Sequence, residues 1–437
     1  MARILLIGRG PLPSADAPQT GFSQLRTQAF HDALVDAGHA VRLVSLVPNP
    51  TRSVGSEWPG ILEVREEGAG WIERTAEASA GAELVVSAGP YNPGRLAVAV
   101  AGERPLWVDI PGDPSAELSA LSRATPGGLT DPQLAAAHAG AVSVLSRADG
   151  MSVISEAQRH ATLGQLGLMG RLLKEESTPS LATVPISGGF VPHADPNVTR
   201  ASGRVVALAG AFNPWVDVAA LTTCLDSLLD AREDSQVICT GGGIPGFYEA
   251  GFERFKAWAA TRGSRVTIHG WLPHNEMVRT LQQAHIGLSM DAEGPEPELG
   301  SRTRLLLYAE LGLAPASTVR CELAQQWANA DALIPLPIRN PEEAGRLLAT
   351  IAIDDGVSSR AAALCPTARA VCEPLVEWCA QPRRFTTAPS PEGAMAAELD
   401  LTKDKLAQVY ASPTWTAMNR LHGLGQSAAD RFRARSK

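Results

Sequence analysis

The stretch SGGFVPHADPNVTRASGRVVALAG, Ser187 to Gly210, decides the fold. Its first part is dense in glycine, proline and serine and reads as a linker. Its end, RVVALAG, is a short β-branched run closed by glycine, the pattern of a strand buried on both faces. A chain that has completed one sheet therefore begins another here.

Upstream, strands are expected at ARILLIG (2–8), HAVRLVSLV (39–47), ELVVSAG (83–89), PLWVDIPG (105–112), GMSVIS (150–155) and LATVPI (181–186). Helical periodicity fills 22–38, ended by Gly38, then 131–146 and 156–173. Downstream the rhythm restarts: RVVALAG, helix 217–231, QVICTGG, helix 249–262, RVTIHG, helix 275–283, IGLSM, a helix in EPELGSRTRLLLYAELGLAP (296–315), then APAST. Strands alternating with helices imply βαβ units and parallel sheets. The expected fold is α/β, two Rossmann-like doubly wound domains facing a cleft, with a C-terminal helical extension. The expected boundaries are 1–190, a linker at 191–203, 204–360, and helices with a polar connection over 361–437.

The 437 residues are 45% apolar and 19% charged, a balance typical of globular proteins. A net charge of -8 argues against nucleic acid as a partner. No apolar run is long enough to span a bilayer, and MARILLIGRG reads as a buried strand and not as a leader, so a cytoplasmic protein is expected. Arg431, Arg433, Arg435 and Lys437 form a basic tail. It reads either as a solvated helix end or as a weak contact to an anionic inner-membrane face. Cys365, Cys372 and Cys379 recur every seven residues, placing them on one helix face, where buried packing is expected. The histidines show no H-E-x-x-H spacing and no D-x-D occurs, so neither a catalytic metal nor a resident cofactor is expected.

Ligands of doubly wound sheets bind beyond the carboxyl ends of the strands. The first such loop has neither G-x-G-x-x-G nor G-K-[ST] spacing, which speaks against a dinucleotide or ATP site there. Asp109 stands at a strand end, with Asp113 and Glu117 spaced to converge on it. A carboxylate there orients an acceptor hydroxyl or takes its proton. Asp113 reads equally as the N-cap before Pro114. Arg302 and Arg304 fall at a helix start, where dipole and free amides favour an anion.

TGFSQLRTQAFHDALVDAGHAVRLVSL (20–46), ADGMSVISEAQRHATLGQLG (148–167), VVALAGAFNPWVDVAALTTCLDSLL (205–229), CTGGGIPGFYE (239–249) and VTIHGWLPHNEMVRTLQQAHIGLSM (266–290) together resemble GT-B fold glycosyltransferases of the GT4 type. The resemblance covers residues 1–360 and implies a transferase of bacterial glycan biosynthesis that uses a nucleotide sugar. UDP- and GDP-sugars are the donors it suggests, with a glycan, lipid-linked or small-molecule acceptor, and with retention of configuration. It puts Gly21, Arg26 and Asp113 on the acceptor side and Asp109 among the catalytic groups. It puts Gly242, Trp271 and Leu272 at the nucleotide, Trp271 reading either as a base platform or as domain packing.

The chain departs from the family in its donor motif. The loop Gly210–Trp215 lacks the usual arginine and lysine, and the two glutamates eight positions apart are replaced by Leu299 and Leu307. On this reading Glu298 serves as the first acid, Glu310 stands in for the second, and Arg302 and Arg304 replace the phosphate clamp. The alternative is a catalytically degenerate GT-B protein acting as a binding or assembly module.

Overall fold

The computed structural model describes residues 1–13, 21–50, 58–189, 197–352, 355–385, 406 and 412–415. The chain divides into Met1–Thr386, which contains both sheets, and Thr387–Lys437. Most of the helix expected from about residue 395, the basic tail and most of the linker at 381–394 lie outside the described residues. Among the described residues no helix is long and apolar enough to cross a membrane.

The first sheet comprises β1 (Arg3–Arg9), β2 (Ala40–Val47), β3 (Gly60–Arg65), β4 (Leu84–Ser87), β5 (Leu106–Ile110), β6 (Gly150–Val153) and β7 (Ser180–Thr183). Their order is β3-β2-β1-β4-β5-β6-β7, and every pairing is parallel. Ile4 to Ile7 are fully buried because helices cover both faces of the sheet, hence the continuous apolar run. The second sheet comprises β8 (Arg204–Ala209), β9 (Ser235–Thr240), β10 (Val266–Gly270), β11 (Ile286–Ser289), β12 (Ala314–Thr318) and β13 (Ile334–Leu336). Its order, β10-β9-β8-β11-β12-β13, repeats the topology of the first and is again wholly parallel. The chain therefore has two doubly wound domains, each reversing its winding beside its first strand.

The sequence pattern does not reveal β3 or β13. β3 is an edge strand of mostly half-buried residues, and β13 has three residues, one of them Pro335, which an edge position tolerates. The helix expected after β11 is two helices, Pro295–Leu299 and Thr303–Glu310, separated by Gly300, Ser301 and Arg302.

The cysteines do not share one helix. Cys365 lies in a loop before Pro366, Cys372 joins the short helix Ala368–Val371 to the helix Glu373–Ala380, and Cys379 lies near the end of the latter. Cys372 and Cys379 are fully buried, as packing residues. They pack on the first sheet, in one cluster with Phe30, Leu34, Trp107 and Val184. Trp378 meets Trp107 with ring centroids 5.4 Å apart, within the range of favourable aromatic pairs. The chain thus crosses from the first domain to the second after β7 and returns at residues 365–368.

Candidate active site

In the second domain the strand order reverses between β8 and β11, the place where doubly wound sheets hold ligands. β8 and β11 share only two residue pairs before they part. Tyr308, from the helix Thr303–Glu310, fills the gap: its hydroxyl accepts from the Ala209 amide at 3.0 Å and donates to the Leu288 carbonyl at 3.1 Å. Gly287 makes this possible, since a Cβ there would lie 2.0 Å from the Tyr308 ring. Burial pushes the phenol up to about 12, so it remains a donor at neutral pH.

The loops above β8, β9 and β10 are stitched into one platform. Phe212 donates its amide to the Gly242 carbonyl at 3.0 Å, and Gly241 donates to the Gly270 carbonyl at 2.7 Å. Gly241 tolerates this at a φ of 95°, with the Gly210 backbone directly against it. Trp271 is half-buried, and its indole N–H donates to the Gly243 carbonyl at 3.2 Å, which fixes the ring beside the platform. Leu272 follows it, also half-buried.

Arg302 and Arg304 part company here. Arg302 is 4% exposed and closed within its own domain, with Asp291 at 2.7 Å and Glu296 at 2.8 Å. Burial alone would lower its pKa, but Asp291 and Glu296 outweigh that and raise it, so it is a fixed cation. Asp291 Oδ2 has no hydrogen-bond partner among the described residues. Arg302, expected at the diphosphate, has its guanidinium occupied by two carboxylates of its own domain. Arg304 is partly open, and its Nη2 donates to the Ala211 carbonyl at 2.9 Å. It is thereby held above the β8 loop.

In the first domain, Asp109 is fully buried beneath Arg26, which is 2% exposed. The guanidinium grips both carboxylate oxygens at 2.9 and 2.8 Å and also donates to the Val184 and Pro185 carbonyls. Ser152 donates to Asp109 at 2.6 Å, and Trp107 donates to Ser152. Burial lowers the Arg26 pKa and Asp109 more than reverses it, for a net rise. Asp109, expected among the catalytic groups, and Arg26, expected on the acceptor side, are bound to each other and form an internal brace. Asp113 takes up its N-cap reading, capping the helix Pro114–Ala124 through the Ala116 amide at 2.9 Å, and it also accepts from Gln165. Gly21 starts the helix Phe22–Asp36, half-buried, beside residues 14–20 that lie outside the described ones.

The carboxylate at the β5 end is Glu117 instead. It reaches back over the Gly112 turn, where a Cβ would lie 2.4 Å from it, and accepts a hydrogen bond from Tyr91. Burial pushes Glu117 up to about 7, Tyr91 pulling the other way and Glu296 and Asp113 adding to the rise. Glu117 was foreshadowed only by its spacing, and Tyr91 carries no sequence signal at all.

The two domains meet along the helices Pro114–Ala124 and Pro295–Leu299. Ser155 donates to the Leu299 carbonyl at 2.6 Å, and the Glu156 amide donates to Glu322 at 2.7 Å. Glu298 is exposed beside this seam. The carboxylate of Glu310, expected to stand in for a ribose acid, accepts from the Gly189 amide, on the segment that crosses between domains. Leu307, where the resemblance leads one to expect a ribose-binding acid, packs against an apolar cluster.

No protein-family model matches the chain, and no curated protein matches it by sequence. Solved structures do match. Sucrose-phosphate synthase from Thermosynechococcus elongatus superposes with a TM-score of 0.59 at 14% identity, covering 87% of this chain and 99% of that one. Anabaena HepE in complex with UDP-glucose gives 0.55 at 13%, covering 87% and 100%. The α,α-trehalose 6-phosphate synthase from Burkholderia multivorans gives 0.58 at 10%, covering 86% and 98%. The chain up to its C-terminal segment therefore has the two-domain GT-B fold of these glycosyltransferases.

Proposed function

We propose that this chain is a nucleotide-sugar-dependent glycosyltransferase of the GT4 type, with the donor on the second domain and the acceptor against the first. The observation that carries the reading is Arg304. It is a partly open cation, pinned over the β8 loop beside the glycine platform and Trp271, at the reversal of a doubly wound sheet. A diphosphate there gains charge-assisted hydrogen bonds, and charge growing on the leaving group is stabilised where Arg304 is already oriented. HepE, which shares the fold, has been solved with UDP-glucose.

Gly242 and Leu272 line the nucleotide beside Trp271, and Glu298 positions the donor sugar. The acceptor, a glycan, lipid-linked or small-molecule hydroxyl, enters past Gly21. Transfer proceeds with retention and without metal or cofactor, the leaving phosphate receiving the acceptor proton. The setting is cytoplasmic, with the basic tail in weak contact with the inner membrane face.

Thermal shift with UDP-, GDP- and ADP-sugars tests this reading. A shift with at least one donor, lost in Arg304→Ala, is expected, followed by donor hydrolysis. A second reading, a degenerate GT-B binding or assembly module, is favoured by Leu307 in an apolar cluster and by Arg302 closed on its own acids. No shift across the panel at millimolar concentration selects that reading.

A further inference from the structure

One hydrogen bond that crosses between the domains ends on the backbone leading into Arg304. The helix Pro295–Leu299 belongs to the second domain, yet it packs on the first domain's helices Pro114–Ala124 and Glu156–Leu168. Five residues are too few to hold a helix by their own backbone bonds, so its geometry is set by what it touches. At its end the Leu299 carbonyl, with no further turn to bond into, accepts from the Ser155 hydroxyl at 2.6 Å. Glu322 of the second domain returns the contact, accepting from the Glu156 amide at 2.7 Å.

Both sides of the Ser155 bond are stiff. Ser155 is 3% exposed and is the N-cap of the helix Glu156–Leu168, its oxygen accepting from the Gln158 amide at 3.0 Å. Gln158 is itself fixed, its side chain accepting from the Ile154 amide at 3.1 Å and donating to the Ile110 carbonyl at 2.8 Å. On the other side the chain turns at once. The Gly300 amide donates to the Glu296 carbonyl at 2.7 Å, and a Cβ on Gly300 would lie 2.7 Å from that same oxygen. The Ser301 carbonyl accepts from Arg302, and Arg302 is the N-cap residue of the helix Thr303–Glu310, which carries Arg304. With so little slack between Leu299 and Thr303, a shift of the Leu299 carbonyl moves the start of that helix.

We propose that Ser155 is a positioning residue for the donor site: from the first domain it clamps the Leu299 carbonyl, and so fixes the turn Gly300–Arg302 that presents Arg304. This role rests on Arg304 being the donor contact proposed above. The cation is then in place only while the domains are together, so the donor is held for reaction only where the acceptor domain is already present. A hydroxyl suits the task because it accepts from its own helix and donates across the seam at the same time.

That double use supplies the test. Ser155→Thr keeps both bonds. Ser155→Asp keeps the cap, since aspartate caps helices as well as serine does, but it has no proton to give a carbonyl. Hydrogen exchange is read by mass spectrometry on the full chain without nucleotide. Over 296–306 it is expected to quicken about tenfold in Ser155→Asp, the worth of one lost hydrogen bond, and to keep the native rate in Ser155→Thr. Over 156–168 both variants are expected to exchange as the native chain does. A serine that only caps its helix would leave 296–306 unchanged in Ser155→Asp, and that result overturns the proposal. If Ser155→Asp loosens 156–168 as well, Glu322→Ala decides, because it leaves the cap in place. Exchange over 296–306 quickened about threefold in that variant supports the clamp, and the native rate overturns it.

Binding of the best nucleotide sugar separates this role from the donor reading. Ser155→Asp is expected to bind it about tenfold more weakly, and to add nothing in an Arg304→Ala background, since the serine acts through that arginine. Quickened exchange in a chain that binds no nucleotide sugar removes the donor reading and leaves the clamp on the turn. Nucleotide binding that is unchanged in Ser155→Asp removes the positioning role alone.

Discussion

Arg26 in the first domain and Arg302 in the second are exposed by only 2% and 4%, and each is paired with acid, Arg26 with Asp109 and Arg302 with Asp291 and Glu296. Their settings differ. Arg26 reaches an aspartate 83 positions away and two carbonyls of the chain leaving β7, with the Phe30 ring 4.7 Å from its guanidinium carbon. Every direction around it is protein. Arg302 binds acids 11 and 6 positions away on its own domain, leaves Asp291 Oδ2 without a partner among the described residues, and lies two positions before the partly open Arg304. A buried cation whose partners are all supplied ties a domain together. The other is tied to acids of its own domain beside an open neighbour, Arg304, at a sheet reversal, where the proposed donor site lies.

The comparison breaks first on stability. Asp109→Ala strands Arg26 in a dry interior, and urea unfolding should show a loss of about 3–5 kcal/mol. Asp291→Ala leaves Arg302 its second acid, so a smaller loss, about 1–3 kcal/mol, is expected from the same measurement. Equal losses would mean that both pairs are only internal braces. Binding sharpens it next. Arg304→Ala should weaken the best nucleotide by about 10–100-fold in calorimetry, the worth of hydrogen bonds to a charged group, with stability changed by less than about 1 kcal/mol. The smallest effect on folding belongs to Glu298→Ala. This exposed site should move stability by no more than about 0.5 kcal/mol while donor turnover falls. Unchanged turnover would return Glu298 to solvent.

Much of the architecture was legible because parallel strands buried on both faces advertise themselves as apolar runs, and β1 and β8 are such runs. β3 and β13 escaped because edge strands need no such run. The site was legible as a set of charges but not as a set of pairs. Nothing local in Arg26 distinguishes a helix surface from a buried brace; its partner lies in another βα unit, and only the sheet order brings them together. Glu310 shows the same limit, since its spacing on the helix suggested a ribose contact while its carboxylate holds the Gly189 amide. Tyr308 was hidden differently. Its counterpart in the sequence is the glycine in IGLSM, a gap that acquires meaning only once a ring is seen to fill it.

The return of the chain to the first domain has a consequence for how the protein is made. The Gly188 amide donates to the Pro366 carbonyl at 2.8 Å, so the outgoing and incoming crossings touch, and the second domain is in effect an insertion within the first. During synthesis, domains fold as units as they emerge. The second sheet is complete once β13 and its following helices have emerged, whereas Phe30 and Trp107, made far earlier, wait for Leu375 and Trp378 to cover them. The first domain to be translated is thus the last to be finished, and a ribosome that stalls before residue 368 leaves an aromatic surface open beside a finished neighbour.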